Sequence, residues 1–277
     1  MTTLLQTVVT PPYAVDVFVG ASPAVQRLRL QVARIAPHFR MALLTGEPGV
    51  GKHTIAREMH RASPSAFPFT VIPVAEFAEH ARHPSGGTLY LPGLESLPPT
   101  SQGRLLTALK ALDRDTRVIV ASESDLKGMV SAGKLRHDLY EAVGTLEIRV
   151  PPLRDRLDDI DLIGGAMLRR LSSTAVLSAD ALLRLRSHTW SGNLEELWML
   201  CEKLAPAVST ITGPDLPALN PAPPDATSTA RLEEVMHRHV IDVLQSCSGN
   251  KLRAAELLGI SRSTLYRMLG SQSANPL

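Results

Sequence analysis

A glycine-rich loop between a strand-like run and a helical run is the feature that most constrains the fold of this chain. Residues 41–45 are a short aliphatic run, residues 46–51 contain three glycines, and Lys52 opens a helical stretch to about His60. Glycines let backbone N–H groups turn inward, and the amino end of a helix favours negative charge. This order is typical of a phosphate-binding loop. The alternative is a glycine-rich strand-to-helix turn with no ligand.

The lysine of this loop and its neighbours are the candidate phosphate ligands. In a phosphate-binding loop the backbone surrounds the phosphates, and the lysine reaches the β- and γ-phosphates. The next residue is usually a Ser or Thr that holds magnesium, but here it is His53, and Thr54 follows one position later. The predicted nucleotide-binding residues of the loop are Gly46, Glu47, Pro48, Gly49, Val50, Gly51, Lys52, His53 and Thr54.

Short aliphatic runs alternate with helical patterns over the first 150 residues. The runs are almost continuously apolar, as strands buried on both faces of a parallel sheet are. Four leucines at helical spacing predict a helix over 100–112. The alternation predicts an α/β domain with a parallel sheet and right-handed crossovers. The predicted strands are residues 41–45, 69–72, 88–91, 117–121 and 146–150.

The strands are expected to stop after residue 152. Helical patterns then predict a smaller all-helical subdomain over 151–212, which is called the lid below. Residues 213–228 hold five prolines and little periodic apolar signal, which predicts an extended linker. The predicted organisation is a tail over 1–17, an α/β subdomain over 18–150, a helical lid over 151–212, a linker over 213–229 and a small all-α domain over 230–277.

The last predicted domain has the layout of a helix-turn-helix. Asn250 is a good N-cap for a helix over 251–258, Gly259 ends that helix, and Ser261 caps a further helix over 262–269. An amphipathic helix over 231–246 precedes them. We expect this first helix to pair two copies of the domain, because a three-helix unit of this size has little core of its own.

The same region is the most basic part of the chain. Residues 251–270 carry a net charge of +3, whereas the whole chain carries only +2. Such a concentration favours a polyanionic partner, and the second helix of a helix-turn-helix enters the major groove of DNA. The alternative is a small helical interaction domain with an incidental basic face. The predicted DNA-binding residues are Lys251, Arg253, Arg262, Ser263, Thr264, Tyr266 and Arg267.

Composition excludes several other classes of protein. Hydrophobic residues make up 44% of the chain and charged residues 20%, which permits a packed core and excludes general disorder. No run approaches the ~18 apolar residues of a membrane span, and residues 1–12 lack Lys and Arg, so a cytoplasmic protein is expected. Cys201 and Cys247 are expected to be buried small hydrophobes. His80 and His83 lack a visible third ligand, so no metal site is predicted.

Together these segments resemble the AAA+ domain and the Fis-type DNA-binding domain of the bacterial sigma-54-dependent activators, the enhancer-binding proteins. The resemblance implies a transcriptional regulator that binds double-stranded DNA and, weakly, ATP or ADP. It implies a homodimer through the C-terminal domain, and a higher oligomer or assembly with an intact relative. Arg136 matches one of the family's two arginine fingers and joins the nucleotide-binding residues. The matching segments are the phosphate-binding loop and residues 18–23, 87–91, 135–140, 150–156, 190–193 and 249–267.

Several positions depart from the pattern of that family. Where the family has an Asp-Glu pair after a strand, this chain has Pro92 and Gly93. The family's sensor Asn falls on Glu123, its second arginine finger on Ala142 and a lid Arg on Glu195. The sequence therefore predicts nucleotide binding with no catalytic residues, and it leaves Mg²⁺ binding undecided.

The surface loop with which the family contacts its sigma factor has no counterpart here. Residues 74–85 contain nothing similar to the motif Gly-Ala-Phe-Thr-Gly-Ala, so sigma-54 contact is not expected. Two other functions stay open: an ATPase that remodels sigma-54 polymerase, and a nucleotide-gated oligomerisation scaffold in which DNA binding is secondary. ATP turnover with promoter DNA tests the first, and the size of the protein with and without nucleotide tests the second.

Overall fold

The structure is a computed structural model that describes residues 18–64, 68–79, 86–171, 174–206, 209–217, 219 and 251. The chain divides into two compact units, Met1–Pro221 and Ala222–Leu277. All described residues except Lys251 lie in the first unit. The predicted pairing helix lies outside the described residues, and so does the predicted helix-turn-helix apart from Lys251. The predicted tail, the two histidines of residues 80–83 and Cys247 lie outside them as well.

A parallel five-stranded sheet forms the centre of the first unit. The pairing order is β2-β3-β4-β1-β5, and every pair is parallel. The predicted α/β class and its five strands are confirmed, and the bounds of each strand differ by at most one residue at either end. The strands are β1 (Met41–Thr45), β2 (Phe69–Val71), β3 (Gly87–Pro92), β4 (Thr116–Ser122) and β5 (Glu147–Arg149).

Helices cover both faces of this sheet. Helices α1 (Pro23–Ile35) and α2 (Lys52–Arg61) cover one face. Leu44 of β1 packs with these two helices, whereas Leu43 packs with the opposite layer, because successive residues of a strand face opposite sides. The helix predicted over 100–112 is α4. The opposite layer consists of α3 (Val74–Glu79), α4 (Pro99–Ala111), α5 (Leu126–Ser131) and α6 (His137–Gly144).

The lid follows the sheet in sequence and has its own core. A 3-10 helix over Leu153–Asp159 leads into its three helices. The indole of Trp190 is fully buried in this core, and its N–H donates to the Leu185 carbonyl oxygen at 2.8 Å. Cys201 is buried here as predicted, and burial raises the pKa of its thiol to about 12. The lid helices are α7 (Ile160–Arg170), α8 (Ala179–Arg186) and α9 (Asn193–Leu204).

Two predictions about the lid are wrong. It is not all-helical, because β6 (Val176–Leu177) and β7 (Thr210–Ile211) form a small parallel sheet. The linker does not begin at residue 213: Gly213–Asp215 form a 3-10 helix, and Leu216 is buried in the lid core. Proline is tolerated in the first turn of a helix, where its missing N–H is not needed, so prolines alone did not mark the end of the fold.

A buried carboxylate joins the start of the α/β part to the lid. The side chain of Asp159 is fully buried and accepts hydrogen bonds from the Ala21 N–H at 2.6 Å, the Ser22 N–H at 2.7 Å and the Ser22 hydroxyl at 2.6 Å. In the part of the chain that the structure describes, no helix is long and apolar enough to cross a membrane.

Candidate functional site

The phosphate-binding loop connects β1 to α2 at the carboxyl end of the sheet. Gly46, Gly49 and Gly51 have φ angles of +152°, +72° and +98°, which residues with a Cβ rarely adopt. A Cβ on Gly49 would collide with the carbonyl oxygen of Gly192 in the lid. The glycines therefore permit both the tight turn of the loop and its close approach to the lid. The loop ends at the amino end of α2, where the helix dipole favours an anion.

The Lys52 ammonium lies within the loop and is largely buried. Its Nζ donates to the carbonyl oxygens of Gly46 at 2.9 Å and Glu47 at 2.8 Å, and to Oε1 of Glu123 at 3.2 Å. Burial lowers the pKa of Lys52, while the charges of Glu123, Glu95 and Glu47 act to raise it. The lysine thus has the position that phosphate binding requires, but a carboxylate already contacts it.

The lid holds the backbone of the loop from the other side. The carbonyl oxygens of residues 48, 49 and 50 accept hydrogen bonds from the Asn193 amide at 2.9 Å, the Leu194 N–H at 3.0 Å and the Arg156 guanidinium at 2.7 Å, respectively. Asn193 has a φ of +53°, and its Oδ1 accepts from the Leu153 N–H at 2.8 Å. These bonds join the loop and the lid into one hydrogen-bonded unit.

Sequence reasoning missed this role of the lid residues. Segments 150–156 and 190–193 contributed to the family resemblance, yet no function was assigned to Arg156 or Asn193. A signal was present at residue 193, because Asn tolerates positive φ better than most residues other than Gly, and Asn193 adopts such a φ. Burial lowers the pKa of the Arg156 guanidinium to about 10, so it stays a cation at neutral pH.

The end of β3 offers no carboxylate at the two positions that the family uses. Pro92 ends the strand, and Gly93 follows with a φ of +89°. Glu95 lies in the next turn, where its Oε2 accepts a hydrogen bond from the Glu123 N–H at 3.2 Å. Within the described ranges, the side chains that could bind a metal do not gather in groups of three or more. Neither Pro92 nor Gly93 can hold Mg²⁺ through a side chain.

His53 and Thr54 have different surroundings in the first turn of α2. The His53 ring packs edge-on against Phe69 and Tyr90, with ring centroids 5.8 and 5.6 Å apart. Burial lowers its pKa to about 4, so the ring is neutral at physiological pH. The ring of His53 therefore belongs to the core beside the sheet. Thr54 instead faces a cavity between the loop and the lid.

Two spaces adjoin the loop. The cavity beside Thr54 measures about 20 Å³, and its other lining residues include Phe18, Val50 and Ile163. A space of this size holds a water molecule but not a nucleotide base. A larger cleft of about 360 Å³ opens at the carboxyl ends of β1, β4 and β5. Charged residues line this cleft: Glu47, Glu123, Asp125, Lys127, Glu147 and Arg149.

Arg136 lies at the amino end of α6, and its guanidinium is exposed. Its Nε and Nη2 donate to the Asp138 carboxylate at 3.0 and 2.6 Å, and this contact holds the pKa of Asp138 down at about 2. The Arg136 N–H donates to Gln102 of α4 at 2.9 Å. The structure thus places Arg136 in the layer of α4 and α6.

Glu195, at the position of the missing lid Arg, is next to the loop, since a Cβ on Gly49 would lie 3.3 Å from its Cβ.

Most of the predicted DNA-binding residues lie outside the described residues. Lys251 alone is described: it is helical and exposed, in agreement with the helix predicted to begin there. Arg253, Arg262, Ser263, Thr264, Tyr266 and Arg267 stay predictions from the sequence.

Comparison with known proteins adds an independent assignment. Residues 19–153 match the family described as the sigma-54 interaction domain, and residues 231–270 match the Fis family of bacterial regulatory proteins. The transcriptional regulatory protein ZraR of Escherichia coli (strain K12) is 31% identical over 301 residues, which cover 91% of this chain and 68% of that protein. This chain belongs to the sigma-54-dependent transcriptional regulators. The predicted family is confirmed.

Other relatives agree with this membership. The C4-dicarboxylate transport regulatory protein DctD of Rhizobium meliloti (strain 1021) is 31% identical over 93% of this chain and 64% of its own length. The chain thus spans about two thirds of the length of these relatives. A crystal structure of NtrX from Brucella abortus in complex with ATP has a TM-score of 0.64 and 26% identity, covering 91% of this chain and 68% of that one. NtrX has also been crystallised with ADP.

Proposed function

We propose that this regulator binds double-stranded DNA through residues 230–277, and that its AAA+ domain binds ATP or ADP without hydrolysing it. One observation carries the proposal. The nucleotide loop keeps its glycines and its lysine, while Pro92, Gly93 and Glu123 stand where hydrolysis needs acids and a sensor amide. The site is thus suited to hold phosphates but not to cleave them.

Nucleotide binding is supported by the backbone of the loop and by Lys52. The glycine conformations, the amino end of α2 and the buried ammonium are the elements that a phosphate group requires. The related NtrX binds ATP and ADP in crystals. We expect weak binding, because the cavity beside Thr54 is too small for a base until side chains of the lid move. Mg²⁺ is given no role here, since Pro92 and Gly93 do not fit it.

The absence of hydrolysis is proposed from four substituted positions that act together. A working site needs carboxylates for the metal and for water, and positive charge for the transition state. This chain has Pro92 and Gly93 for the acids and Ala142 for one arginine finger. Glu195 adds a negative charge beside the loop, where the family has a positive one.

DNA binding is supported by the match of residues 231–270 to the Fis family and by the net charge of +3 over residues 251–270. We propose a homodimer through the helix over 231–246 and a cytoplasmic location. Contact with sigma-54 is not proposed, because only residues 72–86 separate β2 from β3 and they contain no segment like the family's contact motif.

Assembly beyond a dimer is favoured by the position of Arg136. Its exposed guanidinium lies in the layer of α4 and α6, whereas the loop adjoins the lid. An arginine finger can be supplied in trans to a nucleotide that another protein chain binds. We therefore propose that Arg136 serves a second copy of this chain or an intact relative.

Titration of the full chain with fluorescent ADP tests the nucleotide site. We expect saturable binding that Lys52→Ala abolishes, because this lysine is the full positive charge that the loop itself supplies. Lys127→Ala is the matched control: it removes one cation from the wall of the neighbouring cleft, and binding should persist. Equal binding of ADP by wild type and by Lys52→Ala would contradict nucleotide binding at this loop. The absence of any ADP binding by wild type would contradict it as well.

A further inference from the structure

We infer that Glu123 makes this nucleotide site selective for nucleoside diphosphates over nucleoside triphosphates. The inference rests on the proposed function, because it assigns a preference to the same loop. The selectivity concerns the length of the phosphate chain that the site accepts. The contacts of the Lys52 ammonium are the observation that supports it.

The three donors of Lys52 already have three acceptors. A lysine ammonium carries three N–H groups and no acceptor. In this structure its partners are the carbonyl oxygens of Gly46 and Glu47 and the carboxylate of Glu123, at 2.9, 2.8 and 3.2 Å. A phosphate oxygen that approaches Lys52 must therefore replace one of these acceptors. Because a carboxylate pairs with the ammonium, the site starts with less attraction for a phosphate than a free lysine would give.

The carboxylates lie on the side where a third phosphate would extend. Glu123 directly follows β4, and Glu95 follows β3, so both lie at the carboxyl ends of strands beside β1 and its loop. Glu95 accepts from the Glu123 N–H, which places its carboxylate next to Glu123. Ligands of open α/β sheets bind outside these carboxyl ends. A γ-phosphate would thus meet two carboxylates.

Diphosphates avoid most of this repulsion. Backbone N–H groups of the loop and the amino end of α2 can hold a β-phosphate, and Lys52 can turn one N–H from a loop carbonyl to that phosphate while another stays paired with Glu123. A triphosphate adds a further negative charge beside Glu123 and must displace that carboxylate from the ammonium. Like charges at such short range oppose binding, and Pro92 and Gly93 at the end of β3 supply no carboxylate for a metal ion that could offset this repulsion.

The test compares ADP with ATP on the full chain, by calorimetric titration in buffer with EDTA. We expect wild type to bind ADP about tenfold more tightly than ATP, which corresponds to about 1.4 kcal/mol. Glu123→Gln keeps the shape of the side chain and removes its charge, so it should tighten ATP binding and abolish most of the preference. The control is Glu147→Gln, which removes a carboxylate that lines the same cleft but bonds Thr45 instead. It should leave the preference unchanged.

The outcomes separate this inference from the proposed function. Equal affinities of wild type for ADP and ATP, or equal effects of Glu123→Gln and Glu147→Gln, would overturn the selectivity and leave nucleotide binding intact. Failure of both nucleotides to bind any of the three proteins would overturn the proposed function itself. With excess Mg²⁺ the preference for ADP should shrink. A Glu123-dependent preference for ATP under that condition would overturn the inference, because Glu123 would then attract the γ-phosphate through the ion.

Discussion

Asp159 is a small residue whose removal should lower the stability of the fold strongly. It is fully buried and accepts three hydrogen bonds from residues 21 and 22, so Asp159→Ala would leave two N–H groups and a hydroxyl without their acceptor. We expect the free energy of unfolding to fall by about 3 kcal/mol, since buried groups that lose a charged partner are costly. Urea denaturation of the full chain, followed by circular dichroism, measures this change.

The neighbouring acid is the control for that measurement. Asp158 is exposed, and Asp158→Ala should change the free energy of unfolding by less than about 0.5 kcal/mol. Similar effects of the two substitutions would show that Asp159 does not tie the start of the α/β part to the lid.

The role of a single residue could be predicted where that role depends on its neighbours in sequence. It could not be predicted where the fold brings distant segments together. The glycines and the lysine of the loop follow one strand and open one helix, so their role could be predicted from neighbours in sequence. Glu123 was noted only as a departure from the family. Its ion pair with Lys52 joins residues 71 positions apart, and that proximity follows from β4 lying beside β1.

At the scale of the element, the last two predicted helices should divide DNA recognition between bases and phosphates. If Arg262 reads a base, Arg262→Ala should cost about 1–3 kcal/mol at one position of the binding site. Lys251→Ala should weaken binding to all DNA sequences alike. It should also reduce the slope of log affinity against log salt concentration by about one unit. Binding of the full chain to duplexes at several salt concentrations measures both. Salt-independent binding, or none, would contradict DNA recognition by this domain.

The amphipathic helix over 231–246 should pair two chains. Val235→Asp and Val240→Asp place a charge in the apolar face, and a buried unpaired charge is costly, so the dimer should become a monomer in sedimentation experiments. Gln245→Asp adds the same charge to the opposite face and should leave the dimer intact. A footprint with two half-sites related by a two-fold axis is expected for wild type. A wild-type monomer with an asymmetric footprint would refute the pairing.

The helices and strands with a long run or a regular repeat of apolar residues were predicted well from the sequence. Strands β1 and β4 and helix α4 have continuous or periodic apolar residues, and the structure confirms them. Strands β6 and β7 have two residues each, too few for any pattern to be visible. The prolines after residue 212 also led to a wrong prediction, because one of them, Pro214, lies in the first turn of a short 3-10 helix.

At the scale of the whole molecule, we propose a chain that combines a nucleotide site without turnover with a DNA-binding domain. The losses around the phosphates are several and separate: the acids at the end of β3, one arginine finger and the lid Arg. One arginine finger alone can be worth ~10³–10⁵ in rate. Restoring only the acids, by Pro92→Asp with Gly93→Glu, should therefore leave hydrolysis undetectable.

Phosphate release from ATP by the full chain, in the presence of the DNA that it binds, is the decisive measurement for a nucleotide site without hydrolysis. We expect wild type to release phosphate no faster than Lys52→Ala, although wild type binds ADP in the same preparation. Turnover in wild type that disappears with Lys52→Ala would refute the proposed absence of hydrolysis and would make the protein a working ATPase.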